Sequence, residues 1–71
     1  MTEQQFFQVM NDYVDGNAHD LARDESLQYA GMDSMRMMMV VEAFRAAGSD
    51  VTFMELVKNP TLAHWMERIV K

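Results

Sequence analysis

Few residues of this chain have chemistry to offer. Ser34 closes the run Gly31-Met32-Asp33-Ser34, histidines stand at 19 and 64, and Asp12, Asp15, Asp20 and Asp24 are scattered through the first third. A catalytic serine needs a base in reach and paired donors for an oxyanion. His19 lies beside Asp20 in a stretch without helical period, and His64 falls in the first turn of a predicted helix. Neither sits in a pattern that suggests a triad, and both read as surface residues. The aspartates lack the spacing of a calcium loop. Cysteine is absent, which removes thiolate metal sites, a cysteine nucleophile and disulfide staples. Neither a catalytic residue nor a metal site is expected.

What Ser34 can do is set by its place. Asp33 is a good N-cap, so Ser34 opens a helix. There the free backbone N–H groups and the helix dipole favour an anion, and a phosphate ester on the hydroxyl would be well placed. Asp-Ser is equally an ordinary helix start, and on the residues alone capping is sufficient to explain it.

The helix that Ser34 opens carries a second peculiarity. Methionines stand at 32, 35, 37, 38 and 39. Met37, Val40, Val41 and Phe44 follow i, i+3, i+4, i+7 and make a core stripe. Met35, Met38, Met39 and Glu42 fall on other faces, among Arg36 and Arg45. An apolar patch there is costly unless something covers it, and methionine suits surfaces that meet several partners. A docking surface beside Ser34 is the reading for Met35, Met38 and Met39. A buried central helix is the plainer alternative. A copper site would need thioethers converging on one point, usually from several segments with histidine or cysteine help.

The positioning elements are predicted to be helical throughout. Thr2 and Gln5 form a capping box before Phe6, Val9, Met10, Tyr13 and Val14, which predicts a helix from about Glu3 to Asp15, ended by Gly16-Asn17. Residues 16–33 show no clean period. Leu21, Leu27 and Tyr29 read as apolar anchors there, with one helical turn near Ser26–Tyr29. The second helix is predicted from Ser34 to Ala47, stopped by Gly48. Thr52 and Glu55 form another capping box for a short helix over Phe53–Lys58, which Asn59-Pro60 breaks. Thr61 caps a last helix bearing Leu62, Trp65, Met66, Ile69 and Val70. No segment alternates with a strand's period. The expectation is one all-α bundle over residues 1–71.

Composition narrows the function classes. Eleven acidic and six basic residues give a net charge of −5, which disfavours nucleic acid and anionic membranes. No apolar run approaches the roughly 20 residues of a membrane span, and the start MTEQQFF lacks the pattern of a signal peptide. The expectation is a soluble, cytoplasmic monomer, either free-standing or a module of a longer chain. A chain of 71 residues buries only about 60% of its unfolded surface, so its stability margin is thin.

The stretch ESLQYAGMDSMRMMMVVEAFRAAGSDVTFMELVKNPTLAHW resembles the carrier-protein, or thiolation, family. The resemblance rests on Gly31, Asp33 and Ser34 at the start of the second helix, Gly48 at its end, and Pro60-Thr61-Leu62 opening the last. It covers roughly Glu25 to Val70. Within the family the chain is most similar to aryl and peptidyl carrier domains of siderophore and other nonribosomal peptide pathways, through Leu27, Gly31, Asp33, Ser34, Arg36, Met38, Val51-Thr52-Phe53-Met54-Glu55-Leu56 and Trp65. Met35 departs conservatively from the Leu, Ile or Val of many relatives. Arg36 and Arg45 stand where carriers of fatty-acid synthesis typically hold acidic residues.

The resemblance implies a small four-helix bundle of acyl-carrier type, with a short third helix and a long loop between the first two. It implies no catalysis by the chain itself. It implies a 4′-phosphopantetheine group joined covalently to Ser34, next to Asp33, by a phosphopantetheinyl transferase. An adenylation domain or aryl-AMP ligase would load the terminal thiol with an aryl or aminoacyl group, and condensation or tailoring enzymes would receive it. Met32, Met35, Arg36, Met38, Met39 and Glu42 would form the docking face, with Phe53, Met54 and Val57 as its other wall, only part of that set being exposed. A carrier of fatty-acid or polyketide chains and an unmodified helical adaptor are the alternatives.

Overall fold

The computed structural model describes residues 1–71 as four α-helices, α1 (Glu3–Asn11), α2 (Ser34–Ala46), α3 (Phe53–Lys58) and α4 (Leu62–Ile69). Two 3₁₀ turns, Ala18–Asp20 and Leu27–Ala30, lie in the connection between α1 and α2. There is no strand, and the only bridge pairs Ser26 with Thr61. The all-α bundle with a short third helix is therefore as expected.

Each helix starts where a side chain satisfies its free N–H groups. Thr2 accepts from the Gln5 N–H and the Gln5 side chain answers the Thr2 N–H, a complete capping box. Thr52 accepts from the Glu55 N–H, yet the reciprocal half of the expected box is missing. The Glu55 carboxylate is taken instead by Arg68 Nε at 2.8 Å. Thr61 caps α4 through the His64 N–H, and the Arg23 carbonyl accepts from the N–H of Ala63, the second residue of the helix.

The predicted first helix is too long by four residues. A continued helix would bond the Asp15 N–H to the Asn11 carbonyl, but it donates to the Ala30 carbonyl at 2.8 Å. The Asn11 side chain meanwhile accepts from the Ala18 N–H at 2.7 Å. The bond to Ala30 is a long-range competitor that local periodicity does not contain. At the other end of the connection, the Leu27 N–H donates to the Pro60 carbonyl. The long loop is thus tied at both ends to the bundle.

All 17 buried residues are apolar. Phe6 and Phe44 stack with centroids 5.5 Å apart, joining α1 to α2. Trp65 is fully buried, and its indole N–H donates to the Leu56 carbonyl at 3.0 Å, which ties α4 to the end of α3. Tyr29 departs from its expected role as an anchor, being 85% exposed, because the 3₁₀ turn directs Leu27 and Ala30 inward instead. His64 is half-buried rather than on the surface. His19 is exposed but stacks on Phe7 at 3.9 Å.

Candidate functional site

Ser34 is the first residue of α2 and is exposed. The Asp33 carboxylate accepts from the Arg36 N–H at 2.9 Å, and the Asp33 carbonyl accepts from the Met37 N–H. The N–H groups of Ser34 and Met35 have no partner within the chain. A hydroxyl in solvent therefore stands beside two free donors at the positive end of a thirteen-residue helix. A shallow depression lined by Gln28, Gly31, Met32, Asp33 and Ser34 opens next to it. An exposed hydroxyl flanked by free N–H groups fits a phosphodiester.

The start of α2 is held from three sides. Met32 and Met37 occupy the positions of a hydrophobic staple, one before the cap and the fourth in the helix, and both are buried. This corrects the expectation that Met32 belongs to a docking face: it is fully buried and anchors the helix entrance. Arg36 is also drawn inward. Its Nη1 donates to the Tyr13 carbonyl at 3.3 Å and to the Asp15 carboxylate at 3.0 Å. Through Nη1 it clamps the end of the first helical segment to α2, while its side chain stays 40% exposed. Gly31 lets this clamp pass. Its φ is +84°, and a Cβ there would meet the Asp15 carboxylate and come within 2.9 Å of Arg36 Nη1.

Below Ser34 runs a groove of about 580 Å³ lined by Tyr13, Met35, Met38, Met39, Glu42, Ala43 and Ala46. Met35, Met38 and Met39 are 68, 53 and 49% exposed. The side chains expected to lie off the core stripe therefore do so, and Glu42 is exposed with them. The groove's other wall differs from expectation. Tyr13 lines it, whereas Phe53 and Val57 of α3 are half-buried and packed against the core. Met54 is exposed on α3 but does not line this groove. From the sequence, Tyr13 reads only as a member of the apolar series of the first helix, without a place in the docking face, and Gln28 has no role. A continuous helix through Tyr13 was the misleading premise, and no local signal identifies Gln28.

The phosphopantetheine attachment site family matches residues 7–69, nearly the whole chain. The chain belongs to that family. Its members are carrier domains that hold a phosphopantetheine group and are not themselves catalysts. Among curated proteins, this carrier is 42% identical over 48 residues to an isochorismatase of Bacillus subtilis, covering 68% of the chain and 15% of that protein. It is 40% identical over 47 residues to the pyochelin synthetase PchE of Pseudomonas aeruginosa, covering 66% of the chain and 3% of PchE. It is also 36% identical over 44 residues to the acyl carrier protein ScoB of Streptomyces coeruleorubidus, covering 62% of the chain and 52% of ScoB. The carrier thus spans a small part of the large proteins it resembles. No solved structure gives a significant match. No helix is long and apolar enough to cross a membrane.

Proposed function

We propose that Ser34 is the attachment point of the phosphopantetheine group and that the carrier presents an aryl or aminoacyl cargo to nonribosomal peptide enzymes of the siderophore type. The observation that carries this reading is the exposed Ser34 hydroxyl at the start of α2, beside the unpartnered N–H groups of Ser34 and Met35. When bound, the group supplies a thiol that holds an acyl group as a thioester. The chain's own part is to present the hydroxyl, to hold a phosphodiester at the helix start, and to offer a surface for enzymes. A phosphopantetheinyl transferase would join the group from coenzyme A to Ser34. An adenylation domain or aryl-AMP ligase and then condensation or tailoring enzymes would follow.

The groove of Met35, Met38, Met39 and Glu42 is the proposed docking surface. Each successive enzyme must release the carrier, so a small adaptable apolar patch suits the task better than an extended tight one. The similarity to PchE and isochorismatase favours an aryl or aminoacyl cargo, while that to ScoB keeps acyl chains as the second reading.

Coenzyme A, Mg²⁺ and a broad-specificity transferase should add one phosphopantetheinyl mass to the chain and none to Ser34→Ala. An undiminished gain in Ser34→Ala would end the assignment. Loading the modified carrier with aryl, aminoacyl and acyl donors then separates the two cargo readings.

A further inference from the structure

The chain has nine methionines and no cysteine, so thioethers are its only sulfur. The fold sorts them sharply. Met10, Met32 and Met37 are at most 2% exposed, whereas Met35, Met38, Met39 and Met54 are 49–68% exposed. Met66 is half-buried, with Arg23 Nη1 3.3 Å from its sulfur. On α2 the exposed set Met35, Met38, Met39 repeats the i, i+3, i+4 spacing of the core set Met37, Val40, Val41, shifted by two residues. Two residues turn a helix by about 200°, so the open thioethers lie opposite the core.

We propose that Met35, Met38 and Met39 form an oxidation-sensitive site, at which a hydroperoxide disables docking on α2 without unfolding the carrier. The inference rests on the proposed docking role of this groove. A thioether lone pair attacks the terminal peroxide oxygen. The S–O bond forms as the O–O bond breaks, sulfur loses two electrons, and the remaining oxygen fragment takes up the proton and leaves as an alcohol, or as water when the oxidant is hydrogen peroxide. The product sulfoxide is polar and reducible by methionine sulfoxide reductases. Three sulfoxides would fill an apolar groove with strong dipoles that an enzyme's apolar surface cannot satisfy. The folded state would survive because the methionines that staple and fill the core are sealed from solvent.

The test uses the unmodified carrier, dilute hydrogen peroxide and a broad-specificity phosphopantetheinyl transferase. Peptide mapping should find oxygen on Met35, Met38, Met39 and Met54 before any appears on Met10, Met32 or Met37. The thermal melt should stay cooperative. The initial rate of Ser34 modification at subsaturating carrier should fall about tenfold, the factor equivalent to 1.4 kcal/mol. Sulfoxide reductase should restore it. The M35L/M38L/M39L variant keeps similar volume and retains Met54; its rate after peroxide should equal its own rate before treatment, whatever that untreated rate is. An unchanged rate with all three sulfoxides in place would overturn the proposal, as would equal loss in the leucine variant. Failure of the untreated carrier to accept the group would instead strike the attachment at Ser34, a separate outcome.

Discussion

Gly31→Ala offers a quantitative trial of how the start of α2 is held. The backbone at this position has φ +84°, where an L side chain costs about 1–2 kcal/mol. The new Cβ would also meet the Asp15 carboxylate and Arg36 Nη1. Both are ends of flexible side chains, so they would move, and the Asp15–Arg36 ion pair would be lost. With Asp15 70% and Arg36 40% exposed, that pair contributes at most about 1 kcal/mol. The total is about 1–3 kcal/mol, a large share of the about 3–5 kcal/mol that a core this small supplies. With a urea slope of about 1 kcal/mol/M for a small domain, the midpoint should fall by about 1–3 M. Trp65 is the only tryptophan and fully buried, so its fluorescence reports the transition. In an Asp15→Ala background the same substitution should cost only the backbone share, because the clamp is already gone. A midpoint shift below about 0.5 M, or an equal cost in both backgrounds, would refute this account of the clamp.

Phe44→Asp should abolish the cooperative thermal transition. It removes a side chain stacked on Phe6, costing about 3–5 kcal/mol, and leaves a buried carboxylate without a partner. A melt matching the parent would show that Phe44 does not lie in the core. Asp50→Asn should flatten the acid side of the stability profile. The hydrogen bond from Arg68, then its charge, hold the Asp50 carboxyl below its ordinary 3.8. The contribution is therefore complete above the ordinary value and is lost as pH falls through the lowered one. Thermal midpoints measured at descending pH check this, and an unchanged acid limb in the variant would count against it. Arg68 is held above its ordinary value by Asp50 and then Glu55, so it stays charged throughout that range and the loss follows the protonation of Asp50.

Much of the fold follows from short-range chemistry, and that part was legible. Thr2, Asp33, Thr52 and Thr61 each stand immediately before a helix and cap it with a side-chain oxygen. The spacing of Met37, Val40, Val41 and Phe44 fixed the buried face of α2, and their burial agrees. The exposed position of Ser34 at a helix start follows from the same local rule. What failed did so where a distant group outbid a near one. Asp15 gives its N–H to Ala30 rather than extending α1, and Glu55 gives its carboxylate to Arg68 rather than completing a cap.

The sequence by itself determined the helices, their starts, the core face of α2 and the family-bearing Asp33-Ser34 motif, because caps and periodicity act within a few residues. Only the tertiary structure decided the place of Met32, because periodicity already puts Met37 on the core face and Met35, Met38 and Met39 off it. Met32 and Met35 are three residues apart and alike in chemistry, yet one is sealed in the core and the other open to solvent. That division depends on how the loop crosses the bundle before α2 begins, and on Arg36 reaching back to Tyr13 and Asp15. Contacts between residues more than twenty positions apart set it, and no local pattern encodes them.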